Sequence, residues 1–221
     1  MAIIFSSPNA ACSLTLASVG GRDDMTSVYE LKSRFQNLLR PLTAALAHKG
    51  ITANHVTISA LVLSIIYGTS LCFGLAELWV LLPLFLFIRM AMNAIDGMLA
   101  REHDMSSKLG MALNETGDVV SDTALTIPFL FYAPHAASAI LVFIFMAVLT
   151  EFCGILAHMI SGNRRYDGPM GKSDRAVIMG ILGFLIGIGV SLQTWVVWIF
   201  ASMALLCLYS CLNRLRLAIR E

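Results

Sequence analysis

Two apolar stretches of this chain carry side chains that apolar stretches rarely hold. "NAIDGMLAR" (93–101) follows directly on "VLLPLFLFIRMAM", and "GMALNETGDVVSD" (110–122) begins after eight intervening residues. At helical spacing, residues three or four apart share a face. Arg89, Asn93, Asp96 and Ala100 then form one stripe, and Gly110, Asn114, Asp118 and Asp122 form another. An ionisable group inside a membrane costs a few kcal/mol on insertion scales, and it normally faces a protein interior or a water-filled cavity. Two facing carboxylate stripes repel each other, and a divalent cation removes that repulsion. Oxygen ligands with no convergent His or Cys suit Mg²⁺, Mn²⁺ or Ca²⁺ rather than zinc. Gly97, Ala100 and Gly110 flank the acids. Small residues there let a bulky ligand approach the backbone; tight helix packing is the competing explanation.

The elements that must position these residues follow from composition. The 221 residues are 57% hydrophobic and 13% charged, with a mean hydropathy of +0.77. A soluble domain carries about 25% charged residues, so the chain reads as an all-α integral membrane protein. At roughly 20 residues per span, it holds six transmembrane helices and short loops. These are predicted near 55–75, 78–101, 109–132, 136–160, 174–191 and 194–215, within a domain covering 50–217. Before them, Val28, Leu31, Phe35, Leu38, Leu39, Leu42 and Leu46 recur at helical spacing over 27–48, with Pro41 as a candidate kink. That pattern predicts an amphipathic helix lying along the membrane surface. Residues 1–26 lack a basic start and are expected to be a disordered leader rather than a signal peptide.

Lys and Arg fall in alternate connections. They occur before the first span, between the second and third (Arg101, Lys108), between the fourth and fifth (Arg164, Arg165, Lys172, Arg175) and in the tail, while the other three connections have none. The positive-inside rule then puts both termini and the end of the second span in the cytoplasm. The five cysteines show no paired spacing and read as small hydrophobes.

The two stripes together resemble the signature of the CDP-alcohol phosphotransferase family: Asp-x-x-Asp-Gly-x-x-Ala-Arg, eight residues, Gly, three residues, Asp, three residues, Asp. Asp96, Gly97, Ala100, Arg101, Gly110 and Asp118 match with the spacing intact. "ITANHVT" is similar to the family's Pro-Asn-x-x-Thr at the head of the first span: Asn54 and Thr57 match, and Ala53 replaces the proline. The first and third acids of the signature are Asn93 and Asn114 here. An amide offers a carbonyl oxygen but no charge.

The resemblance implies a reaction. An alcohol hydroxyl attacks the β-phosphorus of a CDP-linked lipid, usually CDP-diacylglycerol, and CMP leaves. It implies metal ligands at Asn93, Asp96, Asn114 and Asp118, with one or two Mg²⁺ or Mn²⁺ ions and with Asp118 as the base. It implies a CDP site formed by Asn54, Thr57, Gly97, Ala100, Arg101 and Gly110, and a homodimer in a bacterial inner membrane with no nucleic-acid partner. Arg101 would steady either a phosphate or an acid of the motif. Three further acids are candidates to replace the missing charge: Glu115, Asp122 and Glu151, the last being equally a candidate counter-ion for Arg89.

"SGNRRYDGPMGKSDRA" (161–176) faces the same compartment as the motif. Arg164, Arg165, Lys172 and Arg175 there form either a patch for a substrate phosphate or an orientation signal with anionic-lipid contacts. His103 is the histidine placed nearest the motif. A family relative that binds CDP-lipid without turnover is the main rival. A small ion transporter explains the acids but not the Gly, Ala and Arg frame.

Overall fold

The computed structural model of the chain describes residues 23–220, with side chains from Arg34 onward; most of the expected leader lies outside the described residues. The chain falls into two units, divided after Leu38, and everything below concerns the second, from Leu39. Helix α1 runs Asp23–His48 and continues through Pro41. Helix α2 is Ala53–Leu71, α3 is Ala76–Glu102 and α4 is Lys108–Thr126. A short α5, Pro128–Tyr132, and a 3₁₀ turn, Pro134–Ala136, lead into α6, Ala137–Ser161. Helix α7 is Lys172–Gly187, and α8 is Gln193–Arg220. Among the described residues there is no strand.

Local chemistry sets these boundaries. Thr52 caps α2, and Ala53 takes its first helical position, where the family's proline is favoured because that residue needs no N–H partner. Ser107 caps α4 by accepting from the Gly110 N–H at 2.9 Å. The third expected span is broken into α4 and α5, because Pro128 brings no N–H to the ladder and starts a new helix instead. Gly162, at φ 75°, ends α6 in the left-handed conformation.

Four of these helices are long and apolar enough to cross a membrane: α2, α3, α6 with its preceding turn, and α8. Helices α4 and α7 fall outside that group. The first carries Glu115, Asp118 and Asp122, and the second is only 16 residues long.

Helix α7 packs on α3 through glycines. A Cβ at Gly183 would sit 2.5 Å from Leu82 Cδ2, and one at Gly180 would sit 3.3 Å from Pro83 Cα. Helix α6 packs on α8, and α2 packs on both α3 and α4. Trp79, Phe129, Phe200 and Phe143 form an edge-to-face chain at centroid distances of 4.9, 5.3 and 5.3 Å, which adds to their area burial. Outside it the polarity is inverted relative to a water-soluble protein. Leu63, Ile66, Phe87, Phe145 and Trp198 are exposed, while Arg89, Asp96, Arg175 and Arg214 are buried. Burying charge while exposing apolar surface is favourable only where the surroundings are apolar too.

From Leu39 on, α1 lies against α3. Thr43 is buried with its hydroxyl toward Met98 Sδ, Leu42 is exposed, and Arg40 pairs with Glu102 at 3.3 Å. The end of α3 and the head of α4 line one cavity, and the α6–α7 connection reaches α4 through Arg164 and Glu115.

Candidate active site

The two stripes do meet. On α3, Asp96 is buried, and its Oδ2 lies 3.0 Å from the Thr57 hydroxyl of α2. On α4, Asp118 Oδ1 accepts from the Asn93 amide at 3.1 Å. Asp96 lies within electrostatic reach of Asp118 and of Lys172.

A cavity of about 250 Å³ opens beside Asp96. Its walls include Asn54, Thr57, Gly97, Ala100, Arg101, Gly110 and Asn114. The small residues matter physically. A Cβ on Gly110 would stand 2.5 Å from Asn54 Oδ1, so the glycine leaves that amide its place. Asn54 Oδ1 is buried and has no hydrogen-bond partner. A buried acceptor without a partner carries a desolvation cost that a donor on a ligand can relieve. Arg101 folds back over Gly97, where a Cβ would meet its guanidinium at 3.2 Å. Among the described residues no carboxylate pairs with Arg101. His103 caps the end of α3 and takes no part in the cavity wall.

On the other side of Asp96 lies a chain of alternating charge. Arg89 reaches Asp122 at 2.6 Å, Asp118 Oδ1 at 3.6 Å and the Asp118 carbonyl at 3.3 Å. Arg175 donates to Asp122 and to Glu151, each at 2.8 Å. Arg164 pairs with Glu115 and, at 3.4 Å, with Glu151. Lys172 pairs with Asp118, and Arg165 pairs with Asp167 at 3.6 Å. Glu151 therefore meets Arg175 and Arg164, while Arg89 takes Asp118 and Asp122. Glu115 and Asp122, offered as substitutes for missing metal charge, are engaged with arginines.

Arg214, which the sequence placed only in the cytoplasmic tail, is a structural residue of this region. It is buried, and it donates to the carbonyls of Thr150 at 2.6 Å, Asp167 at 3.1 Å and Tyr166 at 3.5 Å. Nothing in the local pattern of α8 singles it out from Arg216. Gly168, at φ 104°, passes so close to Ser210 that a Cβ would sit 2.6 Å from its hydroxyl. Ser210 in turn donates to the Pro169 carbonyl. The connection is a fixed turn pinned to α8.

The donors available to a divalent ion are two carboxylates, Asp96 and Asp118, and the amide oxygens of Asn93 and Asn114. An all-oxygen set suits a hard cation. Its charge is small: among the described residues no group of three or more His, Cys, Asp or Glu is arranged to hold a metal.

Comparison with known proteins adds a family. Residues 50–208 match the family model for CDP-alcohol phosphatidyltransferase. The inner membrane protein YnbA of Escherichia coli K12 is 47% identical over 191 residues, covering 86% of this chain and 95% of that protein. The crystal structure of Mycobacterium tuberculosis phosphatidylinositol phosphate synthase with CDP-DAG bound superposes with a TM-score of 0.68 at 19% identity, over 80% of this chain and 92% of that one. The same enzyme in complex with manganese and citrate gives the same TM-score and identity, over 80% and 87%.

Proposed function

The chain belongs to the CDP-alcohol phosphatidyltransferase family, and we propose that it transfers a phosphatidyl group from CDP-diacylglycerol to an alcohol, releasing CMP, in phospholipid synthesis. The observation that carries this reading is the cavity beside Asp96. It joins the matched residues Gly97, Ala100, Arg101 and Gly110 to the partnerless buried carbonyl of Asn54. That carbonyl suits an amino group such as cytosine's, and Arg101, with no carboxylate of its own, suits a diphosphate.

Phosphoryl transfer asks a protein for positioning and for opposite charge. A divalent cation, Mg²⁺ or Mn²⁺, would be held by Asp96 and Asp118 with the amide oxygens of Asn93 and Asn114, and would supply charge neutralisation at the diphosphate. Asp96 is oriented by the Thr57 hydroxyl. Asp118 accepts the proton of the attacking hydroxyl as the new O–P bond forms and the P–O bond to CMP breaks. Lys172 and the Asn93 amide fix the direction of the Asp118 carboxylate.

The reading includes six spans, with α4 and α7 carried across the membrane by their packing on α2 and α3, and with α1 on its surface. It includes a bacterial inner membrane, a cytoplasmic site and a homodimer. The name of the Escherichia coli relative and the apolar faces of α2, α3, α6 and α8 support the location. One observation favours a relative that binds without turnover: Asp118, the proposed base, is already ion-paired with Lys172. Overexpression of the protein, set against its Asp118→Asn variant, with lipid extracts compared by mass spectrometry, separates the two. A new phospholipid present only with the unaltered protein is the expected result. Identical extracts count for binding alone.

A further inference from the structure

The basic α6–α7 segment raises the question of what alcohol this site accepts. Arg164, Arg165, Lys172 and Arg175 look in sequence like a phosphate patch, yet each of them is paired with a carboxylate (Glu115 and Glu151, Asp167, Asp118, and Asp122 and Glu151 respectively). Arg214 of α8 adjoins this segment, and its buried guanidinium is turned onto backbone carbonyls. The contrast with the donor side is sharp. There Arg101 stands without a carboxylate partner against an open cavity.

Resting on the function proposed above, we infer that the acceptor is an alcohol that carries no phosphate, and that Glu115 and Glu151 set this preference by occupying Arg164 and Arg175. A phosphate monoester brings close to two negative charges at neutral pH. To meet it, Arg164 must leave Glu115, which has no other cation among the described residues, or Arg175 must leave Glu151, which then keeps only its 3.4 Å contact to Arg164; either move costs ion pairing at a partly buried carboxylate. A hydroxyl compound needs only hydrogen-bond acceptors, and the carboxylate oxygens of this segment are such acceptors. The acids that the motif lacks at positions 93 and 114 are thus matched by others, Glu115 and Glu151, that cancel cations instead of holding a metal.

The test uses the full chain in lipid nanodiscs with CDP-diacylglycerol and Mn²⁺. CMP release is measured with matched pairs: glycerol and glycerol 3-phosphate, inositol and inositol 1-phosphate. Glycerol 3-phosphate binding is titrated in parallel by calorimetry on the unaltered protein and on Glu115→Gln. The unphosphorylated member of at least one pair is expected to release CMP faster, with neither phosphorylated member ahead. Glu115→Gln is expected to bind glycerol 3-phosphate about tenfold more tightly than the unaltered protein. Where CMP is released at all, a phosphorylated member ahead in either pair, or no unphosphorylated member ahead in any pair, overturns the inference, and so does equal or tighter glycerol 3-phosphate binding by the unaltered protein. If Glu115→Gln does not fold, the matched pairs decide. If no alcohol releases CMP, the functional reading fails, and the calorimetric comparison still decides this one.

Discussion

Asn93 on α3 donates its amide N–H to Asp118 on α4 across 3.1 Å. A carboxylate at position 93, where the family motif places one, would put two negative charges at that separation. Here an amide turns the repulsion into a hydrogen bond, and Arg89 and Lys172 add positive charge to the same carboxylate. Asp118 is thus met within the protein by an amide donor and two cations. Restoring the acid with Asn93→Asp is expected to destabilise the metal-free protein by about 1–3 kcal/mol. Added Mn²⁺ is expected to recover that loss and to stabilise the variant more than the unaltered protein. Thermal melts in detergent, with EDTA or Mn²⁺, check this; equal responses of the two proteins to Mn²⁺ count against it.

Arg101 covers Gly97 at the cavity mouth with no ion-pair partner among the described residues. Replacing it with Gln removes one charge-assisted contact to the donor diphosphate, worth about 1.5–3 kcal/mol. CDP-diacylglycerol affinity is expected to fall by about one to two powers of ten, while the melting temperature changes little because nothing in the fold leans on that side chain. Titration of CDP-diacylglycerol into nanodiscs measures the first, and a melt measures the second.

Arg175 ties Asp122 to Glu151 at 2.8 Å on each side. Arg175→Met takes one arginine from each of two half-buried carboxylates, which keep Arg89 and Arg164 respectively, and the expected loss is about 2–3 kcal/mol. Adding Glu151→Gln is expected to return part of it, so that the two changes are clearly non-additive in a double-mutant cycle. Strict additivity would mean that the pair does not act as a unit.

Helix α7 can sit on α3 only because of its glycines. A Cβ at Gly187 would run into the Val80 backbone nitrogen and stand 2.9 Å from the Ala76 carbonyl. Backbone cannot swing aside as a side chain does, so Gly187→Ala is expected to cost about 1–3 kcal/mol. It should also lower activity by shifting Lys172 and Arg175 at the head of the same helix. A melt paired with a CMP-release assay checks both effects.

The motif was legible because its two halves lie on helices adjacent in the chain. The spacing that places Asp96 and Ala100 on one stripe and Gly110 on the other is local, and Gly97 and Arg101 line the same cavity. The ion pairs were not legible. Whether Glu151 meets Arg89 or Arg175 depends on how α6 and α7 settle against α3, and that is decided by the small residues at their contacts rather than by the charges. Lys172 reached Asp118 for the same reason. In sequence it is one of four basic residues of the connection, with nothing to say which acid it meets, whereas in the fold it heads α7 and pairs with Asp118 of α4. The third span was expected as one helix over 109–132, and Pro128 divides it. A pattern of apolar residues continues through that proline without a break, so hydropathy could not reveal it.

Asp96 and Asp118, with amides at the other two motif positions, are proposed to sustain phosphatidyl transfer. This is tested most directly by CMP release from CDP-diacylglycerol in nanodiscs across a panel of unphosphorylated and phosphorylated alcohols, with and without divalent metal. CMP release is expected to require the metal and to be abolished in an Asp118→Asn protein that still folds, as its melt shows. No release with any alcohol from a protein that binds CDP-diacylglycerol, or undiminished release from Asp118→Asn, would contradict it.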